Sequence, residues 1–143
     1  MFGMNKIKKR TFVLFLILIL LVIFFIKFSR PIMITSDKGE AFFLFWSWDK
    51  GKIEFVNSVT GAKVEIYFSL AHDFNDFYMK TNEETENYYT GGTYNINERL
   101  KNERRSVLAF SSVKGIKLTL ADKVFNIKND SLKVELLWSK ELF

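Results

Sequence analysis

The sequence predicts a mainly β protein: one N-terminal transmembrane helix, then a small antiparallel β-sandwich or barrel-like domain of about seven or eight strands. Three observations carry that expectation. Thr11 to Ile26 is a run of 16 residues without a charge, bounded by Arg10 and Lys27. Several later segments alternate apolar and polar residues with period two, the pattern of half-buried strands. Gly and Asx turn signals separate those segments,.

The chain has 143 residues, room for one modest domain and an anchor. It divides into a basic cytoplasmic tail (1–10), a transmembrane anchor in contact with membrane lipid (11–28) and an extracytoplasmic β domain (31–143). The charge-free run spans about 24 Å as a helix, against roughly 30 Å of hydrocarbon. Arg10 and Lys27 can snorkel, and Phe28 adds apolar length,. A cleaved leader shares the basic start but needs small residues before its cut. Phe24-Phe25-Ile26-Lys27-Phe28-Ser29-Arg30 offers no A-x-A-like site,. Lys6, Lys8, Lys9 and Arg10 on one side outweigh Lys27 and Arg30 on the other. The expected arrangement is therefore single-pass in the cytoplasmic (inner) membrane, N-terminus inside and C-terminal domain outside.

The net charge of +5 follows from the same asymmetry. Residues 31–143 hold 15 basic and 16 acidic side chains of alternating sign. That near-neutral domain gives no basic stripe, and no nucleic-acid partner is expected. The absence of cysteine removes disulfides, thiol nucleophiles and thiolate metal sites together,.

Within the domain, Ile32 to Thr35, Ala41 to Trp48 and Lys52 to Asn57 read as strands on either side of Gly39 and Gly51. Phe42-Phe43-Leu44-Phe45-Trp46 is too short to cross a membrane and reads as a core strand, with a membrane-surface contact as the alternative. Lys63 to Leu70 is the clearest strand, with Val64, Ile66, Phe68 and Leu70 on one face. Residues 71–105 read differently. Phe74, Phe77 and Tyr78 fall at helical spacing after Ala71, and Asn97 to Arg105 offers one or two helical turns. Thr81 to Asn87 is acidic, and Tyr88-Tyr89-Thr90-Gly91-Gly92 reads as an aromatic, glycine-rich turn. A binding loop would sit here; a solvated connection is the alternative. The C-terminal third reads as a meander: Ile116, Leu118 and Leu120; Phe125 and Ile127; Leu132, Val134, Leu136 and Trp138. Asp49-Lys50-Gly51, Thr60-Gly61, Ala121-Asp122-Lys123 and Asn129-Asp130-Ser131 read as turns.

Catalytic parts are scarce in the sequence. The one histidine, His72, stands beside Asp73 and three residues before Asp76, which as a metal set lacks a second histidine or cysteine,. An exposed loop histidine is the simpler reading. No Gly-x-Ser-x-Gly elbow nominates a serine nucleophile, and Glu83, Glu84 and Glu86 lie in the most polar segment,. Gly91-Gly92 lacks the following lysine of a phosphate loop. The expectation is no enzyme, no cofactor and no metal.

The stretch Phe55-Val56-Asn57-Ser58-Val59-Thr60-Gly61-Ala62-Lys63-Val64-Glu65-Ile66-Tyr67 resembles the signature of the domain-of-unknown-function eighteen-fifty family of small extracytoplasmic proteins. There, an apolar strand enters a His-Ser-Val or His-Ser-Ile turn and leaves on a strand bearing a glutamate. Asn57 stands where the family usually has histidine, and Tyr89-Thr90-Gly91-Gly92 matches its glycine-rich segment loosely. Family members are often encoded beside TAXI-class TRAP transporters. The resemblance therefore implies an accessory or binding role at a membrane permease or its solute receptor, with Asn57, Ser58 and Glu65 on the hairpin and Tyr88, Tyr89, Gly91 and Gly92 on the loop as binding residues. A purely structural hairpin is the alternative for the motif. An anchored inhibitor or immunity-type protein, or a structural subunit of an envelope complex, is the alternative for the chain.

Overall fold

A computed structural model describes residues 5–128 and 130–138. Helix α1 (Lys6–Phe28) buries no residue and is long and apolar enough to cross a membrane. It begins at Lys6, so the basic residues expected as a separate tail form its first turns. They have no acidic companion there, although the positive end of a helix favours anions.

Nine strands follow among the described residues: β1 (Ser29–Ser36), β2 (Gly39–Trp46), β3 (Lys50–Val56), β4 (Lys63–Leu70), β5 (Phe74–Lys80), β6 (Val107–Ser112), β7 (Ile116–Leu120), β8 (Lys123–Ile127) and β9 (Asp130–Leu136). They form two antiparallel sheets, a four-stranded one in the order β2-β1-β9-β6 and a five-stranded one in the order β5-β4-β3-β7-β8. Helices α2 (Glu83–Thr90) and α3 (Ile96–Leu100) lie in the connection from β5 to β6.

The alternating faces explain the sandwich. Ile32, Ile34 and Phe45 from the first sheet, with Leu108, Leu132, Val134 and Leu136, meet Ile53, Val64, Ile66, Phe68, Leu70, Leu118 and Leu120 from the second in one buried cluster. Phe43 on β2 packs edge-on to Phe125 on β8, centroids 4.9 Å apart, closing one side between the sheets. Gly51 is dictated by close approach: a Cβ there would lie 2.2 Å from Phe68 Cζ.

Three elements differ from the sequence expectation, the first being β6 (Val107–Ser112), which no strand read from the pattern covers. Residues 74–80, read at helical spacing, form strand β5. The ladder with β4 shifts register between Tyr67 and Ser69, and Asp76 takes φ 53°. Asp76 and Phe77 thus oppose Phe68 alone, a β-bulge. The extra residue puts Phe74 and Phe77 on the same inward face three positions apart, which imitates a helix period. The expected turn at Tyr88–Gly92 is instead the end of α2. Asn82 caps the helix start by accepting from Thr85 N at 2.9 Å, and Gly91 ends it in the left-handed conformation, donating to Asn87 O,. Glu83, Glu84 and Glu86 occupy the first turn, where the helix dipole favours acids,. The expected turns at Asp49-Lys50-Gly51 and Asn129-Asp130-Ser131 also shift. Lys50 and Gly51 already belong to β3, the turn being Ser47–Trp48; Asp130 and Ser131 belong to β9, and Asn129 lies outside the described residues.

Edge strand β5 is covered rather than left open. The Asn97 side chain accepts from Met79 N at 2.7 Å and donates to Met79 O at 3.0 Å, standing in for a strand neighbour, and Arg105 bridges Phe74 further along,.

Candidate functional site

At the end of the sandwich far from α1, the chain turns from β3 to β4 through Asn57–Ala62. Asn57 is 5% exposed. Its Oδ1 accepts from Val59 N at 2.8 Å and Thr60 N at 2.9 Å, and its Nδ2 donates to Tyr89 Oη at 2.9 Å. Backbone bonds Asn57 N to Ala62 O and Gly61 N to Asn57 O close the turn, with Gly61 at φ 72°. The hydroxyls of Thr60 and Thr85 meet at 2.7 Å. Hairpin and α2 are thus stitched together by two side-chain contacts, and every hydrogen-bonding group of the Asn57 amide but one donor hydrogen is committed to the fold.

Of the residues expected to bind, the structure joins Asn57 to Tyr89. Ser58 is exposed at the turn apex and Tyr88 is 53% exposed on α2. Gly91 and Gly92 form the left-handed exit of that helix. Glu65 is separate: it lies two ladder steps down β4, on the outward face of the five-stranded sheet.

That face holds a charge network the sequence reading passed over. Glu54 and Glu65 are direct cross-strand partners, an unfavourable like-charge pair unless a cation intervenes. Lys63 Nζ intervenes, 2.8 Å from Glu54 Oε1 and 3.0 Å from Glu65 Oε1. Lys52 Nζ is 3.3 Å from Glu54, and Lys117 Nζ is 3.8 Å from Glu54 Oε2. The Lys63 hydrogen bond holds the Glu54 carboxyl below its ordinary range against the opposing effect of burial, with Lys52 assisting. Lys63, then the Tyr67 hydroxyl, do the same for Glu65, while Lys63 itself is raised by its bonds to both glutamates. Tyr67 donates to Glu65 at 3.0 Å and lies under Lys52 Nζ. A cleft of about 550 Å³ opens beside the network, lined by Glu54, Lys63, Lys114, Lys117, Asn126 and Lys128 among others. The signal was present: Lys52-x-Glu54 and Lys63-x-Glu65-x-Tyr67 are the outward members of the two strands flanking one turn.

His72 is exposed at the opposite end. Asp73 pairs with Arg104 at 3.5 Å, and Asp76 sits in the bulge. The three do not converge, and the described residues hold no His, Asp and Glu group able to grip a metal ion.

The joint between α1 and the sandwich is held by hydrogen bonds from several elements. α1 ends at Phe28 and β1 starts at Ser29 without a linker. Ser47 N donates to Phe28 O at 2.8 Å, and Trp138 Nε1 donates to Ser29 O at 2.9 Å. Arg30, 5% exposed, donates to Lys27 O at 2.8 Å, to Ser29 O at 2.6 Å and to Ala71 O after β4. A guanidinium on Lys27 O, a carbonyl of the last helical turn, complements the negative end of the helix,.

No protein-family model matches this chain, and neither does a curated protein or a solved structure.

Proposed function

We propose that this chain is a single-pass membrane protein of the cytoplasmic membrane, N-terminus inside, whose sandwich is a rigidly mounted extracytoplasmic binding module. Its partner is an integral membrane complex, and a TAXI-class TRAP permease or its solute receptor is the candidate that the hairpin resemblance points to. The observation that carries the reading is the joint. Helix and first strand are continuous, and Arg30 clamps the helix end to the β4–β5 turn. A leader cut near Ser29 would sever the bonds from Ser47 N to Phe28 O and from Arg30 to Lys27 O that tie the helix end to the sheet. Fixing a domain to the bilayer raises its effective concentration near a membrane partner, and a rigid joint also fixes the face presented.

The far end supplies that face. Ser58 and Tyr88 are the exposed members of the hairpin and helix pair, while Asn57 and Tyr89 hold it together.

The test has two parts. A cysteine at Ser58 should react with a membrane-impermeant maleimide in intact cells or spheroplasts; reaction only after lysis would overturn the orientation. Mild-detergent purification of the full chain from its own membranes should bring the permease or receptor at comparable stoichiometry, and Ser58→Trp and Tyr88→Ala should reduce that recovery without unfolding the domain. Recovery of the chain alone, from membranes whose other complexes survive the detergent, would overturn the partner assignment.

A further inference from the structure

The aromatic side chains gathered around the joint have no part in that binding end. Trp46, the last residue of β2, and Trp48, in the turn to β3, stack at 5.4 Å, 4° from parallel. Phe25 of α1 meets Trp46 edge-on at 5.8 Å, Phe28 lies 5.9 Å from Trp48, and Phe24 lies 4.7 Å from Phe28. The cluster therefore spans helix and sandwich. Trp48 is nevertheless 57% exposed.

The apolar surface continues up the sandwich. β2 is the edge strand of its sheet, and its inward residues are Phe43 and Phe45. Its outward residues are Trp46, Leu44 and Phe42, with Leu44 at 44% and Phe42 at 65% exposure. Opposite them on β1 stand Pro31 and Met33, and Leu137, 41% exposed, donates to Pro31 O. Among the described residues, charge appears on this face further from the helix, at the Lys133–Glu135 pair and at Glu40.

We propose that the Trp46–Trp48 collar and the helix-proximal part of the outward stripe of β2 rest in the lipid headgroup layer, so that the sandwich sits on the bilayer by the end next to α1. The inference rests on α1 being a membrane anchor. Continuity decides the occupant: the patch begins on the last turn of the helix and is in contact with it, so any bilayer that receives α1 reaches the collar first. Composition agrees, because indole rings favour the membrane interface. Length agrees as well. The charge-free run of α1 falls about 6 Å short of a typical hydrocarbon core, and the aromatic cluster at its end makes up apolar depth there. Lys27, its Nζ 5.5 Å from the Phe28 ring, sits at the rim, where a cation meets lipid phosphate.

The geometry also sets a gradient. Outward residues of a strand are spaced by about 6.8 Å, so Phe42 is about 14 Å along the strand from Trp46. The interfacial layer is only about 5–8 Å thick per side. Position 48 should be deepest, position 44 intermediate and position 42 shallowest.

The chain has no native cysteine, so single nitroxide labels can be placed without background. The full-length protein, reconstituted at high dilution in phosphatidylcholine–phosphatidylglycerol vesicles, would carry a label at position 18, 42, 44, 48 or 58. Relaxation by oxygen, which partitions into lipid, is compared with relaxation by a water-soluble nickel chelate. The expected oxygen-to-nickel preference is highest at 18, then falls through 48, 44 and 42 to 58. Lipid-like values at 18 with water-like values at 44 and 48 would overturn the proposal and leave the anchor standing. Water-like values at 18 would overturn both. Protection of 44 and 48 from both reagents would show that a second copy of this chain covers the face, which also overturns it.

Discussion

Replacing Asn57 with alanine separates a structural turn from a ligand-binding one. The substitution removes the acceptor for Val59 N and Thr60 N and the donor to Tyr89 Oη. At about 1 kcal/mol net per hydrogen bond, the loss should be about 2–3 kcal/mol. Asn57→Asp keeps both backbone bonds and offers the Tyr89 hydroxyl an acceptor in place of a donor, so its loss should be about 1 kcal/mol. Tyr89→Phe removes a single bond and should cost about 0.5–1.5 kcal/mol. Combining Asn57→Ala with Tyr89→Phe should cost less than the sum of the two, by about 1 kcal/mol, because the shared bond is lost once. The assay is urea unfolding of the full chain in detergent, followed by tryptophan fluorescence and extrapolated linearly. Equal losses for Asn57→Ala and Asn57→Asp would refute the argument from the Asx turn. Strict additivity with Tyr89→Phe would refute the stitching of hairpin to helix.

Further outcomes follow from the core and from the charge network. Gly51→Ala drives a Cβ into the Phe68 ring, which Phe74 and Phe77 hold in place; the overpacking should cost about 1–3 kcal/mol in the same unfolding assay. Phe68→Ala empties that position and should cost about 3–5 kcal/mol. Glu54 and Glu65 have folded carboxyls below the ordinary 4.5, so in the acid range the unfolded chain binds more protons than the folded one. Their contribution is complete above that value and disappears as pH falls through the folded pKa. Urea midpoints recorded from pH 7 down to pH 3 should therefore decline, and Glu54→Gln should flatten the decline; an unchanged slope would remove Glu54 from the network. Lys63, raised by the same bonds, works in the other sense, its contribution being complete below 10.5 and lost only as pH rises through the folded value.

Strands were legible where burial alternates strictly. Lys63–Leu70 appears with the boundaries expected, and the seven strands read from pattern are all present, while β5 and β6 raise the total to nine among the described residues. β5 was hidden because a bulge converts a two-residue repeat into a three-residue one, and no local signal in Phe74-Asn75-Asp76-Phe77 separates that from a helical turn. α2 was hidden because its first turn is purely polar and its aromatic residues cluster at its last turn, where they read with the following glycines as a loop. At the candidate site the pairing of Asn57 with Tyr89 joins two segments, 32 positions apart, that sequence could nominate but not connect. The Glu54 network needed only the hairpin register, which the alternation on either side of Thr60-Gly61 already implied.

The order of strands in the four-stranded sheet bears on how the chain matures. β1, first to follow the helix, lies between β2 and β9, with Ile32 opposite Leu136. Its hairpin partner is made within a few residues of it, but the strand that completes its other edge is made last. At roughly 5–20 residues per second, that edge stays open for about 5–20 s of synthesis. During this interval the nascent domain carries an unpaired strand edge directly beside its apolar helix, the kind of edge that recruits foreign strands. Arrival of β9 is therefore the step that closes the second edge of β1, and a chain halted before Leu132 would carry a first strand that is still half unbonded.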